Sequence, residues 1–228
     1  MLSSLLNQSF RDFVCYIHDD GSSDGTLSVI RDYEKSHPDT FVLMEDGADH
    51  LGAKDNFFHL LQNVSADVYF FADADDVWSK KKVEKSLAAL AGMGGGSLKE
   101  AQTGMGGGSV EEAALSGTPL CIFTDMYVTD ERLTVTNNSF IRSIDRNPYF
   151  FRYQEIIMDN PAAGCTMCFN RACRDAAVFA KSHDGEKRFK EAASQVEMHD
   201  VWVLLTAALT GRGSVIDEPL VHYRQHWD

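Results

Sequence analysis

The sequence predicts an α/β fold with a Rossmann-like, mostly parallel central sheet flanked by helices. Short apolar runs alternate with segments whose apolar residues recur at three- and four-residue spacing, which is the order of elements that βαβ units produce. The chain has 228 residues and a hydrophobic fraction of 44%. This length and composition suit one folded domain covering residues 1–228.

Three strands are predicted in the first part of the chain. They are the apolar runs 13–17, 41–44 and 68–72. Helices are predicted between them, with Leu27, Ile30 and Tyr33 on the inner face of the first and Phe57 and Leu61 on that of the second. A further helix is predicted after the third strand, so strands and helices alternate.

A glycine-rich break separates this part from the rest of the chain. Met-Gly-Gly-Gly-Ser occurs at 93–97 and again at 105–109, and such stretches behave as flexible chain. We therefore predict a flexible surface insertion over residues 91–118. The alternation then resumes, with predicted strands at 120–124, 163–169 and 214–216 and predicted helices at 171–180 and 201–209.

The charge and the cysteine content narrow the class of protein. A net charge of -13 argues against a nucleic-acid partner, which would need a basic surface. No apolar run approaches the ~20 residues that span a bilayer, so we expect no transmembrane segment and allow only a peripheral position at the membrane. Five cysteines, an odd number, fit a reducing compartment, so the predicted location is the cytoplasm or the inner face of its membrane.

Three acidic residues follow the third predicted strand. Asp73, Asp75 and Asp76 come directly after the apolar run Tyr69-Phe70-Phe71-Ala72. Ligands bind beyond the carboxyl ends of strands in open α/β sheets, and carboxylate oxygens suit Mg²⁺ or Mn²⁺ better than Zn²⁺. A solvated turn entering a helix is the alternative. The apolar strand that precedes the acids favours a cation site that handles phosphates.

Other polar residues admit two readings each. Asp19 and Asp20 precede Gly21 in a turn that either caps the next helix or holds a nucleotide base and ribose. Asp200 begins an apolar helix, where a carboxylate is favoured by the helix dipole and can also act as a general base. Arg224 and His226 are either an exposed polar terminus or partners for a diphosphate.

These segments together resemble a known family. The order is Asp-Asp-Gly-Ser-Ser-Asp-Gly-Thr, Phe-Ala-Asp-Ala-Asp-Asp-Val-Trp, Gly-Cys-Thr-Met-Cys-Phe-Asn-Arg, His-Asp before an apolar helix, and Tyr-Arg-Gln-His. The chain is similar to the family 2 glycosyltransferases of GT-A fold, in particular to the bacterial polysaccharide and rhamnosyltransferase-like branch. The resemblance covers nearly the whole chain outside residues 91–118.

The resemblance implies a reaction and its partners. A family member moves a sugar, with inversion, from a nucleotide-diphosphate sugar such as dTDP-rhamnose to the hydroxyl of a saccharide or lipid-linked saccharide acceptor. Such enzymes use Mg²⁺ or Mn²⁺ and serve the synthesis of bacterial cell-surface polysaccharide.

The resemblance also implies site residues. The implied roles are catalytic base for Asp200, metal binding for Asp75 with Asp73, donor binding for Asp19, Asp20, Asp73, Arg224 and His226, and acceptor binding for Gly164, Cys165 and His199.

The chain departs from the family pattern at its start, where the family's usual first strand is expected to be missing. Two other functions stay open. One is a magnesium-dependent phosphohydrolase of the haloacid dehalogenase type, which also places Asp-x-Asp after a strand. The other is a truncated, non-catalytic module that binds a nucleotide.

Overall fold

The strands of the molecule form two separate sheets. A computed structural model describes residues 1–95, 108–144, 153–158, 160–180 and 182–226. Its strands are β1 (Cys15–Ile17), β2 (Phe41–Leu43), β3 (Val68–Phe70), β4 (Val77–Trp78), β5 (Leu120–Thr129), β6 (Val135–Asn137), β7 (Met167–Asn170) and β8 (Arg212–Arg224).

Helices cover both faces of the larger sheet. They are α1 (Leu2–Leu6), α2 (Thr26–Ser36), α3 (Ala53–Asn63), α4 (Lys82–Gly95), α5 (Val110–Leu115), α6 (Phe140–Ser143), α7 (Tyr153–Met158), α8 (Arg171–Ala177), α9 (Gly185–Ala193) and α10 (His199–Thr210), with a 3-10 turn at Gly164–Thr166. None of the helices in the described ranges is long and apolar enough to cross a membrane.

The pairing of strands is mixed rather than mostly parallel. β1 and β2 form a two-stranded parallel sheet, and the larger sheet has the order β3-β7-β5-β8-β4, with β6 added to β5. Among the described strands of the larger sheet, β5 and β8 run parallel and the other pairs are antiparallel. The prediction of an α/β sheet flanked by helices is confirmed, but its parallel character holds only for β1–β2 and β5–β8.

Strand β5 forms the centre of the core. Its residues alternate between two hydrophobic clusters, with Cys121 and Phe123 facing α3, α8 and α10, and Leu120 and Ile122 facing α4 and α5. Because helices cover both faces, the strand is apolar at almost every position. The same burial explains why its sequence was recognisable as a strand.

The glycine-rich segment is shorter than the sequence suggested. Helix α4 continues to Gly95, and α5 begins after Ser109, whose side chain forms a capping box with Glu112. Met93 and Ala113 are buried in the cluster beneath β5. The structure therefore corrects the two ends of the predicted 91–118 insertion, and residues 96–107 lie outside the described part.

The acidic residues occupy the connection between the two edges of the larger sheet. β3 and β4 stand at opposite ends of the strand order, yet only residues 71–76 join them. β1 has β2 as its one described strand partner and β3 has β7. That the family's first strand is missing stays a prediction.

Candidate active site

Asp76 is the most buried carboxylate of the acidic turn at residues 73–76. Its side chain is 0% exposed, and Oδ1 accepts a hydrogen bond from the backbone N–H of Arg224 at 3.0 Å. The pairing of Val77 with His222 between β4 and β8 brings these residues together. Oδ2 has no N–H or O–H donor among the described residues, and its carboxylate has only the weak donor of the Cys165 thiol besides Arg224, so this buried oxygen is costly unless a cation is near it.

Asp75 faces the end of the chain's last strand. Its side chain is 42% exposed, and Oδ2 lies 2.9 Å from Nε2 of His226. His226 follows β8, so the strand that contacts Asp76 through Arg224 also supplies a partner for Asp75. The structure thus brings the predicted donor-binding residues Arg224 and His226 to the acidic turn.

Asp73 connects the acidic turn to Asp200. Burial, together with the negative charges of Asp76, Asp75 and Asp200, raises the pKa of Asp73 to about 7, and a hydrogen bond from the Cys165 thiol opposes this rise. Four carboxylates therefore share one electrostatic environment. A cation in this environment would favour their ionised forms.

Asp200 is held by two backbone donors. Oδ1 accepts from the N–H of Val201 at 2.6 Å and Oδ2 from the N–H of Gly164 at 2.9 Å. Burial raises the pKa of Asp200, and these hydrogen bonds oppose the shift. A carboxylate with a raised pKa is a better proton acceptor near neutral pH.

Gly164 allows the 3-10 turn to approach the start of α10. A Cβ at this position would lie 2.9 Å from Nε2 of His199 and 3.4 Å from Cβ of Asp200. Only glycine fits this approach without displacing a side chain. The predicted site residue Gly164 is therefore placed beside Asp200, where its backbone orients the carboxylate.

Two of the predicted acceptor-binding residues, His199 and Cys165, are buried. His199 is 3% exposed and lies between Phe57 and Phe71, with ring centroids 4.1 and 4.7 Å away, and burial lowers its pKa to about 4. Cys165 is fully buried beside Asp73 and Asp76. Both side chains lie in the interior, and their contact with an acceptor stays a prediction.

Asp19 and Asp20 bind backbone N–H groups instead of the acidic turn. Oδ1 and Oδ2 of Asp20 accept from Leu51 and Gly52, each at 2.7 Å, which fixes the start of α3. Oδ2 of Asp19 accepts from Ser22 at 2.8 Å. Burial raises the pKa of Asp19, but the hydrogen bonds from residues 21 and 22 outweigh burial, so the pKa is lowered overall. The structure thus shows a turn-stabilising role for both carboxylates, and their contact with a nucleotide stays a prediction.

Lys82 is a buried charge that sequence reasoning missed. Its Nζ lies 3.7 Å from the ring centroid of Trp78 and has no hydrogen-bond partner among the described residues. Burial lowers its pKa to about 8, against the opposing charges of nearby cysteines and of Asp76 and Asp73. The sequence did contain a signal for this burial. Lys82, Ser86 and Leu90 are spaced four residues apart, so they share one face of α4, and that face is buried.

The residues of this site fit a hard divalent cation. Single ligand atoms of Asp73, Asp76 and Cys165 lie within 4.8 Å of one another. Burial raises the pKa of the Cys165 thiol well above its ordinary value, and a protonated thiol is a poor ligand. The remaining oxygens, including the unpartnered Oδ2 of Asp76, suit Mg²⁺ or Mn²⁺. The geometry thus pairs Asp73 with Asp76, whereas the sequence had paired it with Asp75.

The architecture, a mixed sheet with an acidic turn at one end of β3, is GT-A-like. Residues 1–94 match the family model described as Glycosyl transferase family 2. The predicted resemblance to this family of bacterial enzymes is confirmed, and the first 94 residues carry its sequence pattern.

Two curated relatives match the same part of the chain. It is 30% identical over 92 residues to the dTDP-rhamnosyl transferase RfbG of Shigella flexneri, and 30% identical over 90 residues to the putative glycosyltransferase EpsE of Bacillus subtilis strain 168. Each match covers 39% of this chain and 32% of the relative. The matched region is thus about a third of the length of these proteins.

Solved structures show the same fold. The chain superposes with a TM-score of 0.61 and 15% identity on S. aureus TarS 1-349 in complex with UDP-GlcNAc, covering 100% of this chain and 54% of that one. With the UDP complex of the same protein the TM-score is 0.57 at 16% identity, covering 99% and 55%. The chain therefore spans about half of that structure and shares its GT-A-like architecture.

Proposed function

We propose that the chain transfers a sugar, with inversion, from a nucleotide-diphosphate sugar to an acceptor hydroxyl. The observation that carries this proposal is that Asp200 lies next to Asp73: Asp200 accepts from the N–H of Gly164, and the adjoining Cys165 has its sulfur within 4.8 Å of a carboxylate oxygen of Asp73. Inverting transfer needs a base on one side of the sugar and neutralisation of the leaving diphosphate on the other. The two carboxylates supply candidates for these roles from different elements of the fold.

Asp200 is the proposed base. Its oxygens are oriented by the N–H groups of Gly164 and Val201, and the buried imidazole of His199 fixes the first turn of α10 between two phenylalanine rings. A carboxylate held in this way is ready to accept the proton of an acceptor hydroxyl.

Asp73 and Asp76 are the proposed holders of Mg²⁺ or Mn²⁺. When bound, the ion would neutralise the charge of the donor's diphosphate. Asp75 and His226 lie at the more exposed side of the turn, where His226 and Arg224 can contact the phosphates. Gly164 is proposed to contact the acceptor through its backbone, whose close approach to Asp200 needs no side chain.

The relatives suggest donors to test and a setting. One of them is described as a dTDP-rhamnosyl transferase and one structural neighbour binds UDP-GlcNAc. We therefore propose dTDP-rhamnose and UDP-GlcNAc as the first candidates, with a saccharide or lipid-linked saccharide as acceptor, in the synthesis of bacterial surface polysaccharide. The five free cysteines support a cytoplasmic setting.

The match to family 2 and the GT-A-like architecture favour glycosyl transfer over the phosphohydrolase alternative. An experiment decides whether the chain is an enzyme or a non-catalytic module that binds a nucleotide. The test is a thermal-shift panel of dTDP, UDP and their sugars, with and without Mn²⁺, followed by an assay of nucleotide diphosphate release. A ligand that binds only the native state raises the melting temperature by mass action.

Asp200→Asn should keep the nucleotide- and metal-dependent shift and lose transfer by roughly 10²–10⁴-fold. Asp73→Asn should lose both. The matched control is Asp32→Asn, an exposed carboxylate on α2, which should behave as wild type. Unchanged transfer in Asp200→Asn would remove Asp200 as the base, and a shift without any transfer in the wild type would favour the binding module.

A further inference from the structure

We propose that His18, Asp46 and His59 form a second metal site, of the zinc class, separate from the acidic turn. His18 follows β1, Asp46 lies in the loop after β2 and His59 is on α3. Single ligand atoms of the three residues lie within 4.8 Å of one another. The site would join three elements of the N-terminal half that share no strand pairing beyond β1–β2.

The distances suit coordination by one ion. Nε2 of His18 lies 3.4 Å from Oδ1 of Asp46, and Nε2 of His59 lies 2.5 Å from Oδ2 of the same carboxylate. Ligands bound to zinc at about 2.0–2.1 Å in a tetrahedron are separated by roughly 3.4 Å. The first distance already has this value, and the second reaches it with a small movement of the partly exposed His59 and Asp46 side chains.

Asn56 fixes which nitrogen of His18 is free. Its Nδ2 donates to the carbonyl oxygen of His18 at 3.2 Å, so its Oδ1 is the atom that lies 2.6 Å from Nδ1 of His18. Nδ1 therefore donates to Asn56, and Nε2 is the nitrogen that faces the carboxylate of Asp46. In neutral His18 this Nε2 carries the lone pair that a metal ion binds.

This arrangement is typical of metal-binding histidines. Such residues donate the second ring N–H to an oxygen that sets the tautomer and the ring orientation. The His18 side chain is 2% exposed, so its orientation is also fixed by packing. His18 is therefore ready to bind an ion without a change of rotamer.

His59 supplies the second imidazole. Its Nε2 lies 2.5 Å from Oδ2 of Asp46, and its ring centroid lies 4.9 Å from that of His18. The two imidazoles therefore meet the same carboxylate from neighbouring positions, as two ligands of one ion would.

The surroundings favour a cation over an anion. His18 and Asp46 line a cavity of about 180 Å³, and three further carboxylates, those of Asp19, Glu45 and Asp49, line it as well. None of its described lining residues is a lysine or an arginine. The cavity also has room for a water as fourth ligand, and two imidazoles with one carboxylate favour zinc over the Mg²⁺ or Mn²⁺ of the acidic turn.

The test measures binding of Zn²⁺ itself to untagged protein freed of metal with a chelator. Titration calorimetry should show one tight equivalent, and the melting temperature should rise with Zn²⁺. Asp46→Asn and His59→Gln, both at partly exposed positions, should each weaken binding at least tenfold. Asn56→Ala should weaken it by about 10–100-fold through the lost orientation of His18.

Three matched controls separate this site from others. Asp49→Asn changes a carboxylate of the same cavity that is not a proposed ligand, His183→Gln changes an exposed imidazole elsewhere, and Asp73→Asn disables the acidic turn. All three should keep the tight Zn²⁺ equivalent. Co²⁺ bound in place of zinc should give the visible absorption of a four-coordinate ion, which Asp46→Asn should lose.

Two outcomes would overturn the proposal. The first is wild-type protein without a tight Zn²⁺ equivalent, which would leave the three residues as a hydrogen-bonded His–Asp–His group that shares a proton. The second is equal Zn²⁺ affinity in the wild type, Asp46→Asn and His59→Gln, which would place any bound zinc elsewhere. Neither outcome depends on whether the chain transfers sugars.

Discussion

The backbone N–H of Gly164 donates a hydrogen bond to Oδ2 of Asp200 over 2.9 Å. This bond joins the 3-10 turn before β7 to the first turn of α10, and it orients the carboxylate proposed as the catalytic base. The absence of a side chain at residue 164 is what permits the contact.

Gly164→Ala should therefore strongly reduce the rate of sugar transfer while the protein still folds. The new Cβ would lie 2.9 Å from the buried His199 ring, and overpacking of this kind costs about 1–3 kcal/mol of unfolding free energy. We expect at least a tenfold loss of transfer because Asp200 moves with the turn. Gly117→Ala is the control, since nothing lies within 4 Å of its Cβ position. Urea unfolding and initial rates measure the two effects, and full activity in Gly164→Ala would contradict the positioning role.

Lys82 should make stability depend on pH in the alkaline range. Its pKa is lowered from 10.5 to about 8, so the unfolded chain binds more protons than the folded one between these values. The free energy of unfolding contributed by this group then rises as the pH increases from about 8 to 10.5. Lys82→Met should remove this rise, which amounts to about 3 kcal/mol at most.

The measurement is urea unfolding of the wild type and Lys82→Met at several values from pH 7 to pH 10. Differences between the two curves cancel the titration of tyrosines and cysteines. Lys81→Met, at an exposed neighbouring lysine, should run parallel to the wild type. A constant difference between Lys82→Met and wild type over the range would mean that Lys82 is not a buried titrating group.

Asp73 should have the opposite pH dependence in metal-free protein. Its pKa is raised from 3.8 to about 7, so the stability it contributes is present below about pH 4 and is lost as the pH rises to 7. At pH 8, Asp73→Asn should therefore be more stable than metal-free wild type, by roughly 1–3 kcal/mol after allowance for partial exposure.

With Mn²⁺ present, the wild type should become more stable than Asp73→Asn at pH 8. The ion favours ionised Asp73 in the wild type, so it should stabilise the wild type at pH 8 and have little effect on Asp73→Asn. Chemical unfolding with and without Mn²⁺ checks both statements, with Asp32→Asn as the carboxylate control. Equal Mn²⁺ stabilisation of the two proteins would place the ion away from Asp73.

Asp20→Asn should lower the stability of the fold, and this effect should be larger than any effect on nucleotide affinity. The carboxylate accepts two short hydrogen bonds from Leu51 and Gly52, and an amide can replace only one acceptor. We expect a loss of about 1–3 kcal/mol, measured by urea unfolding. The control is Asp24→Asn at an exposed turn position. A large loss of nucleotide affinity at unchanged stability would instead support the donor-binding role implied by the family resemblance.

The sequence alone was enough to locate the strands and helices whose apolar residues recur with a regular period along one segment. The apolar run before Asp73 and the apolar helix after Asp200 are periodic over enough residues to be recognised, and these two acids do lie in one environment. The family resemblance added the pairing of the acidic turn with Arg224 and His226, which no local pattern contains.

What the sequence could not provide was burial at single polar positions. Asp76 and Lys82 each stand among other charged residues, so composition suggests a solvated surface, whereas tertiary packing removes both from water. The same limit applies to Asp20, whose partners lie 31 and 32 positions away. Strand direction was equally inaccessible, because antiparallel pairs such as β3–β7 join segments far apart in the chain.

Residues 71–76 form a strap between the two margins of the larger sheet. The rings of Phe70 in β3 and Trp78 in β4 are 5.8 Å apart, so the sheet curls and its two margins come near each other at this strap. The position of Asp73 and Asp76 is therefore set by both margins at once. Insertion of one or two glycines here should lengthen the strap and weaken ion binding, although every acidic residue would still be present.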